Sequence, residues 1–106
     1  MGTADYEFHV NSRADFVRVR ITYDRGHVVK FTIQYEALVD DQYRNVVRYD
    51  TPHGFPHRDT LNWDGTTLKK EPMQDAQTLD EAATVAITDL VSNREQYLED
   101  FLRRRP

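Results

Sequence analysis

Residues 17–37 read Val-Arg-Val-Arg-Ile-Thr-Tyr-Asp-Arg-Gly-His-Val-Val-Lys-Phe-Thr-Ile-Gln-Tyr-Glu-Ala, and this stretch decides the fold. Apolar and polar residues alternate from Val17 to Tyr23 and again from Val29 to Ala37. This period of two is typical of strands with one buried face. The turn between them, Asp24-Arg25-Gly26, is so short that the two strands must pair antiparallel. The stretch therefore predicts a hairpin whose buried face carries the odd-numbered residues.

Similar alternation extends this hairpin in both directions. It precedes the hairpin at residues 6–10, with a turn at residues 12–15, and follows it at residues 43–49. Further along, Asp64-Gly65 predicts another tight hairpin. We therefore expect an antiparallel meander of about five strands over roughly residues 5–71.

A helix is predicted at the C-terminal end. Thr78-Leu79-Asp80-Glu81 has the pattern of a capping box, in which the threonine hydroxyl accepts from the third helical amide and the glutamate reaches back. Apolar residues then recur at helical spacing, and Arg103 to Arg105 suit the negative end of a helix. We predict a helix over roughly residues 78–103 that lies across the apolar face of the sheet. The result is a single α+β domain over residues 1–106.

The opposite face of the predicted sheet is polar. The residues that alternate with the buried ones include Arg18, Arg20, Lys30, Gln34 and Glu36. We expect this face to stay in solvent or to meet a partner.

Composition limits the class of protein. The chain has 106 residues, of which 39% are hydrophobic and 30% charged, as in ordinary soluble domains. We expect no secretory signal, and no apolar run approaches the ~20 residues that cross a bilayer. The absence of cysteine excludes disulfides and thiolate metal sites. We predict a cytoplasmic protein without membrane contact, and the net charge of −4 argues against indiscriminate nucleic-acid binding.

Ionisable residues are concentrated in residues 48–59, Arg-Tyr-Asp-Thr-Pro-His-Gly-Phe-Pro-His-Arg-Asp. Two prolines fix the backbone there and a glycine permits unusual dihedrals, so we predict a shaped loop. Ionisable side chains on such a loop suit a binding or catalytic site, and they equally suit a structural corner. The candidate catalytic residues are His53 and His57; the candidate binding residues are Arg48, Asp50, Arg58, Asp59 and Trp63.

Residues 46–59, Val-Val-Arg-Tyr-Asp-Thr-Pro-His-Gly-Phe-Pro-His-Arg-Asp, followed by Asp64-Gly65, resemble a family of small uncharacterised prokaryotic proteins. Its members are similar to this chain throughout, with a charged β-rich first half, this segment, and a C-terminal helix. The family is a domain of unknown function, so the resemblance implies no activity, cofactor or catalytic residue. Family patterns often carry alanine in place of Pro52. Through Arg48-Tyr49-Asp50 and the nearby histidines, the chain also resembles, more loosely, a class of small toxin–antitoxin proteins.

Metal binding is the first chemistry to weigh for this segment. His53 and His57, with Asp50 or Asp59, could offer two imidazoles and a carboxylate to zinc, manganese or iron. The i,i+4 spacing of the histidines would favour a metal site on a helix. The glycine and proline between them disfavour a helix, so we predict no metal and no cofactor.

Acid–base cleavage of RNA is the second. His53 and His57 could share proton donation and removal near neutral pH, while Arg48 or Arg58 stabilises the negative charge on phosphorus. The acidic net charge of the chain opposes the approach of a polyanion. Whether the protein is an enzyme is therefore left open.

A structural corner needs the same residue types. Asp50 can cap backbone amides in a turn, and Arg48 can pair with Asp50 or Asp59. Phe55 can plug the core, and Trp63 beside a turn can act as a core lid. This interpretation requires no ligand at all.

The favoured hypothesis is a noncatalytic module that binds another macromolecule. A small sheet-plus-helix domain leaves little room for a deep pocket, whereas a rigid loop with exposed aromatics offers a docking edge. We expect a protein partner or self-association, with nucleic acid less favoured. The alternative is a histidine-dependent nuclease-like or toxin–antitoxin-type protein that acts through residues 48–59.

Overall fold

The computed structural model describes residues 1–10 and 14–106, and in it one long helix lies on a six-stranded antiparallel sheet. The strands are β1 (Gly2–His9), β2 (Phe16–Asp24), β3 (His27–Val39), β4 (Gln42–Asp50), β5 (His57–Leu61) and β6 (Thr67–Pro72), and the helix is α1 (Leu79–Arg103). The strand order in the sheet equals the order in the chain. The α+β class and the meander are confirmed, with six strands instead of about five. The predicted turn at residues 12–15 lies mostly outside the described residues.

The segment 48–59 is not one loop, as the sequence had suggested. Its first three residues end β4 and its last three begin β5, so only residues 51–56 connect the two strands. A short 3₁₀ turn, Pro52–Gly54, occupies that connection. The start of β5 was missed because charged residues occupy both of its faces, which conceals the alternation that marks a strand.

Two tight turns join the central strands. Arg25 and Gly26, between β2 and β3, have φ angles of 52° and 80°. Asp40 and Asp41, between β3 and β4, have φ angles of 53° and 62°. Two central residues with positive φ define the type I′ turn, whose twist matches that of the flanking strands. Both turns therefore favour a tightly paired and strongly twisted β2–β3–β4 unit.

The helix covers one face of the sheet, which we call the inner face. It packs mainly on β3 and also contacts β4 and β2. Val19, Ile33, Leu90 and Phe101 are fully buried between the two layers. Each such side chain contributes about 1.5–3 kcal/mol through removal of apolar surface from water. No helix among the described residues is long and apolar enough to span a membrane.

The helix begins as the capping pattern predicts, with one difference. The Thr78 hydroxyl accepts a hydrogen bond from the Glu81 amide at 3.1 Å. The Glu81 carboxylate accepts from the amide of Gln77, at 2.9 Å, one residue earlier than in the standard box. Both bonds satisfy amides that would otherwise lack a partner at the start of the helix.

Two of the three register shifts in the sheet alter which residues face the core. One lies opposite Thr22 and Tyr23, where β3 carries an extra residue. As a result Val28 is buried, whereas Val29, predicted to face the core, is 38% exposed. A second shift buries both Val46 and Val47 on β4, although strict alternation would bury only one of the two. A β-bulge places two residues opposite one, so strict alternation fails at each of these points.

Candidate functional site

Cross-strand pairing assembles the candidate residues on the face opposite α1, which we call the outer face. Arg48 lies opposite Asp59, and Asp50 lies opposite His57. Directly opposite residues on paired strands point to the same side of a sheet. Four of the seven predicted site residues therefore lie together on the outer face. Arg58, which lies between His57 and Asp59 in β5, points to the inner face instead.

A compact ionic cluster forms around Asp59, which is only 1% exposed. Its carboxylate accepts a hydrogen bond from the Arg48 guanidinium at 3.0 Å, and the Lys70 ammonium lies 3.6 Å from it. The same Arg48 guanidinium is 3.6 Å from the Asp50 carboxylate. Both pairings that the corner hypothesis named for Arg48 are thus present. The cluster pairs two cations with two carboxylates and leaves little net charge.

Asp50 is the carboxylate of this cluster that accepts no hydrogen bond among the described residues, although one oxygen of Asp59 is also buried without a hydrogen bond. Burial raises the pKa of Asp50 above the ordinary value, and repulsion from Asp59 adds to the rise, whereas Arg48 and Lys70 oppose it. One of its oxygens is buried without a hydrogen bond. The predicted capping of backbone amides by Asp50 is not formed among the described residues. Instead, the hydroxyl of Thr51 accepts from the Phe31 amide at 3.1 Å and holds the connection against β3.

Replacement of Asp50 by asparagine is therefore expected to raise the free energy of unfolding at pH 7, by on the order of 0.5 kcal/mol. The folded state holds the Asp50 proton more tightly than the unfolded chain, so the contribution of Asp50 to stability is lost as the pH rises above 3.8. The gain should shrink at pH 4. Urea unfolding at both pH values, with exposed Asp75→Asn as the control, measures this. A loss of 1 kcal/mol or more at pH 7 would instead make Asp50 a required partner of Arg48.

The two histidines do not form a pair of hydrogen-bonded imidazoles. Nδ1 of His57 is 2.9 Å from the carbonyl oxygen of Phe55, within its own loop. His53 is exposed, has a φ of 56°, and makes no hydrogen bond or ion pair within the described residues. Phe55 does not plug the core, because it is 68% exposed. The described part of the chain contains no group of three or more histidine, aspartate or glutamate side chains that could hold a metal ion.

Arg58 belongs to a separate polar network under the helix. Its guanidinium donates to the Tyr97 hydroxyl at 2.9 Å and to the Glu71 carboxylate at 2.8 Å. The hydroxyls of Tyr49 and Tyr97 in turn donate to one oxygen of Asp89, at 2.6 and 2.5 Å. Sequence periodicity could not reveal this network, because its hydrogen bonds join residues on four different elements, up to 40 positions apart.

The pKa values of the tyrosines reflect this environment. Burial, reinforced by the hydrogen bond to Asp89, raises the pKa of Tyr97 to about 12 and raises that of Tyr49 further. The hydrogen bond from Arg58 lowers the pKa of Glu71. A cleft of about 230 Å³ opens beside Tyr49, Arg58 and Glu71. Arg58 and Glu71 in its lining are already paired with each other, so the network holds α1 on the sheet.

Trp63 contacts the C-terminal end of α1 and takes no part in the ionic cluster. Its ring stacks on Phe101 at 4.8 Å, and its indole N–H donates to the Phe101 carbonyl at 2.7 Å. The guanidinium groups of Arg44 and Arg105 lie 4.7 and 4.8 Å from the indole ring. These contacts agree with the core-lid interpretation and anchor the C-terminal end of α1.

The outer face also carries a trough that was not predicted from the sequence. A groove of about 500 Å³ is lined by Arg20, Lys30, Asp50, four threonines, Phe31 and Pro52. A second groove, of about 250 Å³, continues it past Arg18. The two share Arg20 and Thr32, so together they form one depression, which we call the outer trough. The alternation of basic and apolar residues in β2 was its signal in the sequence.

Family comparison covers the whole chain. A family model for a domain of unknown function, DUF7718, matches residues 1–106. The chain belongs to this family. No curated protein matches it, and no solved structure matches it. Membership therefore supplies no activity, and the functional argument depends on the outer face itself.

Proposed function

We propose that this domain is a noncatalytic module that binds another macromolecule through its outer face. The outer trough is the observation that carries the proposal. Among the described residues, no helix or strand packs over this face, because α1 contacts the sheet only from the inner side. The trough is open, polar and shallow, which suits a macromolecular surface or chain better than a small ligand that must be enclosed.

The ionic cluster supports this proposal by fixing the shape of the trough. Asp50 lines one side of it, and Arg48 joins Asp50 to buried Asp59. The Thr51 hydroxyl ties the β4–β5 connection to the main chain of β3. A rigid wall of this kind reduces the entropy lost when a partner binds.

The geometry of the histidines favours binding over catalysis. Acid–base cleavage by two imidazoles needs both within reach of one reacting group. His57 directs one ring nitrogen at a carbonyl of its own loop, and His53 is on the exposed 3₁₀ turn. The nuclease-like alternative therefore has less support than the binding module.

Site-specific photo-crosslinking in the cells that naturally produce the protein tests the proposal. A photoreactive phenylalanine analogue would replace Gln34 in the outer trough or Gln96 on the exposed side of α1. We expect macromolecular adducts from position 34 and few from position 96. Adducts that form equally from both positions, or from neither, would contradict the assignment of the outer face.

A further inference from the structure

Three cations form a regular line in the outer trough. Arg18 and Arg20 point outward from β2, and the next outward position, Thr22, lies opposite Lys30 on β3. The cations thus occupy three successive outward rows, which we call the basic stripe. Adjacent rows on a strand are separated by two residues, or about 6.8 Å. The stripe therefore repeats positive charge at a nearly constant interval along the sheet.

The charges of the basic stripe are available to a ligand. Arg18 and Lys30 are exposed and make no ion pair within the described residues. Arg20 has a side-chain exposure of 68%, and its Nε is 3.7 Å from the Asp5 carboxylate. An exposed pair at that distance contributes little and is easily exchanged for another anion. By contrast, Arg48 is occupied by the ionic cluster.

The charge balance of the trough is opposite to that of the chain. Acidic residues outnumber basic ones in the whole chain, 18 to 14. Among the residues that line the two grooves, three are basic and only Asp5 and Asp50 are acidic. Asp50 is already next to Arg48. The trough is therefore a local attractor for negative charge within an acidic protein.

Threonines lie beside two of the three cations, although Thr22 is only 7% exposed. Thr22 lies opposite Lys30, and Thr32 lies opposite Arg20, so each pair contains one cation and one hydroxyl. Arginine, lysine and threonine side chains are the groups that commonly contact phosphate oxygens in nucleic-acid complexes. A single line of cation–hydroxyl pairs matches the one phosphodiester backbone of a single strand, whereas a duplex would present two backbones.

We propose that the basic stripe binds consecutive phosphates of a single-stranded nucleic acid that lies along β2 and β3. Arg18, Arg20 and Lys30 each contact one phosphate, and the Thr32 hydroxyl, opposite Arg20, donates a further hydrogen bond. Glu7, opposite Arg18 at the edge of the sheet, weakens the attraction. The inference rests on the proposed function and names the partner class for the outer face, against the expectation of a protein partner.

Fluorescence anisotropy with the full chain tests the proposal. The probes are fluorescein-labelled octamers of mixed-sequence RNA and of the matching DNA, titrated from low to moderate salt. Three phosphate contacts predict a slope of about −2 for log K against log salt, and each of Arg18→Gln, Arg20→Gln and Lys30→Gln should reduce the slope by about 0.7. Arg103→Gln, the same change on exposed α1, is the matched control and should leave binding unchanged.

Two further measurements complete the experiment: a variant that is expected to strengthen binding, and competition by an acidic peptide. Glu7→Gln should tighten binding, because it removes a negative charge beside the stripe. Thermal unfolding checks that each variant is folded, as expected for exposed positions. Saturable binding of either octamer, weakened by the stripe variants only, supports the proposal, and the octamer should be recovered uncut.

Three results would overturn the proposal: no saturable binding at low salt, an equal effect of Arg103→Gln, or equally strong competition by a hexaglutamate peptide. Crosslinks from position 34 to a protein, or to a second copy of this chain, would retain the outer face as the binding surface and reject nucleic acid as its ligand. Failure of the inference is thereby distinguishable from failure of the proposed function.

Discussion

Asp89→Ala is expected to destabilise the protein by about 3 kcal/mol. The Asp89 carboxylate accepts both tyrosine hydroxyl bonds of the network under α1, and Arg58 lies 3.8 Å from it. Its removal leaves two largely buried hydroxyls and part of a cation without their partner. Alanine itself favours the helix, so the loss cannot come from helix propensity.

Urea unfolding measures the loss. The matched control is Asp100→Ala on the same helix, where the carboxylate accepts only an exposed bond from Gln96, and its effect should stay within about 0.5 kcal/mol. Tyr49→Phe should cost about 1 kcal/mol in the wild type and much less in the Asp89→Ala background, since the bond it removes is already absent. Equal costs in the two backgrounds would refute the coupling.

Asp59→Ala should cost about 2–4 kcal/mol, in contrast to the small gain expected for Asp50→Asn. Asp59 is buried, and it is the shared partner of Arg48 and Lys70. Without it, Arg48 retains only the more distant Asp50 carboxylate, at 3.6 Å. Asp59 is thus expected to stabilise the fold and Asp50 to destabilise it, although both lie in one cluster on adjacent strands. The difference arises because Asp59 is paired with Arg48 at hydrogen-bond distance, whereas Asp50 is not.

Urea unfolding of each single variant and of the double variant tests this difference. Burial still raises the pKa of Asp50 in the Asp59→Ala background, but the added repulsion from Asp59 is gone and Asp50 becomes the main partner of Arg48. Asp50→Asn should therefore become destabilising in that background. A gain that persists in the double variant would contradict the cluster as described. Asp75→Ala, an exposed carboxylate, is the control and should change stability by less than about 0.5 kcal/mol.

The sequence predicted the regular parts of this fold and missed its local irregularities. Alternation in residues 17–37 and the capping pattern at Thr78 both depend on neighbours in sequence, so they located β2, β3 and α1. The bulge that buries Val28 instead of Val29 depends on the partner strand, so no pattern within one strand can predict it.

The candidate site divides in the same way. Arg48, Asp50, His57 and Asp59 lie together because they are near one another in the chain and share a face of the sheet. Arg58 was grouped with them by proximity in sequence, yet β5 turns it to the opposite side, toward Tyr97. The outer trough combines residues from β2, β3 and β4, so only pairing between strands could assemble it.

The order of elements also has a consequence during synthesis. Every strand pairs with its neighbour in the chain, so the sheet can form by successive short loop closures, which cost little entropy. The helix that covers the inner face follows all six strands. All six strands are therefore synthesised before the helix that covers the apolar face of the sheet. During that interval the nascent chain exposes Val19, Ile33 and their neighbours to chaperones and to aggregation, until α1 emerges and docks.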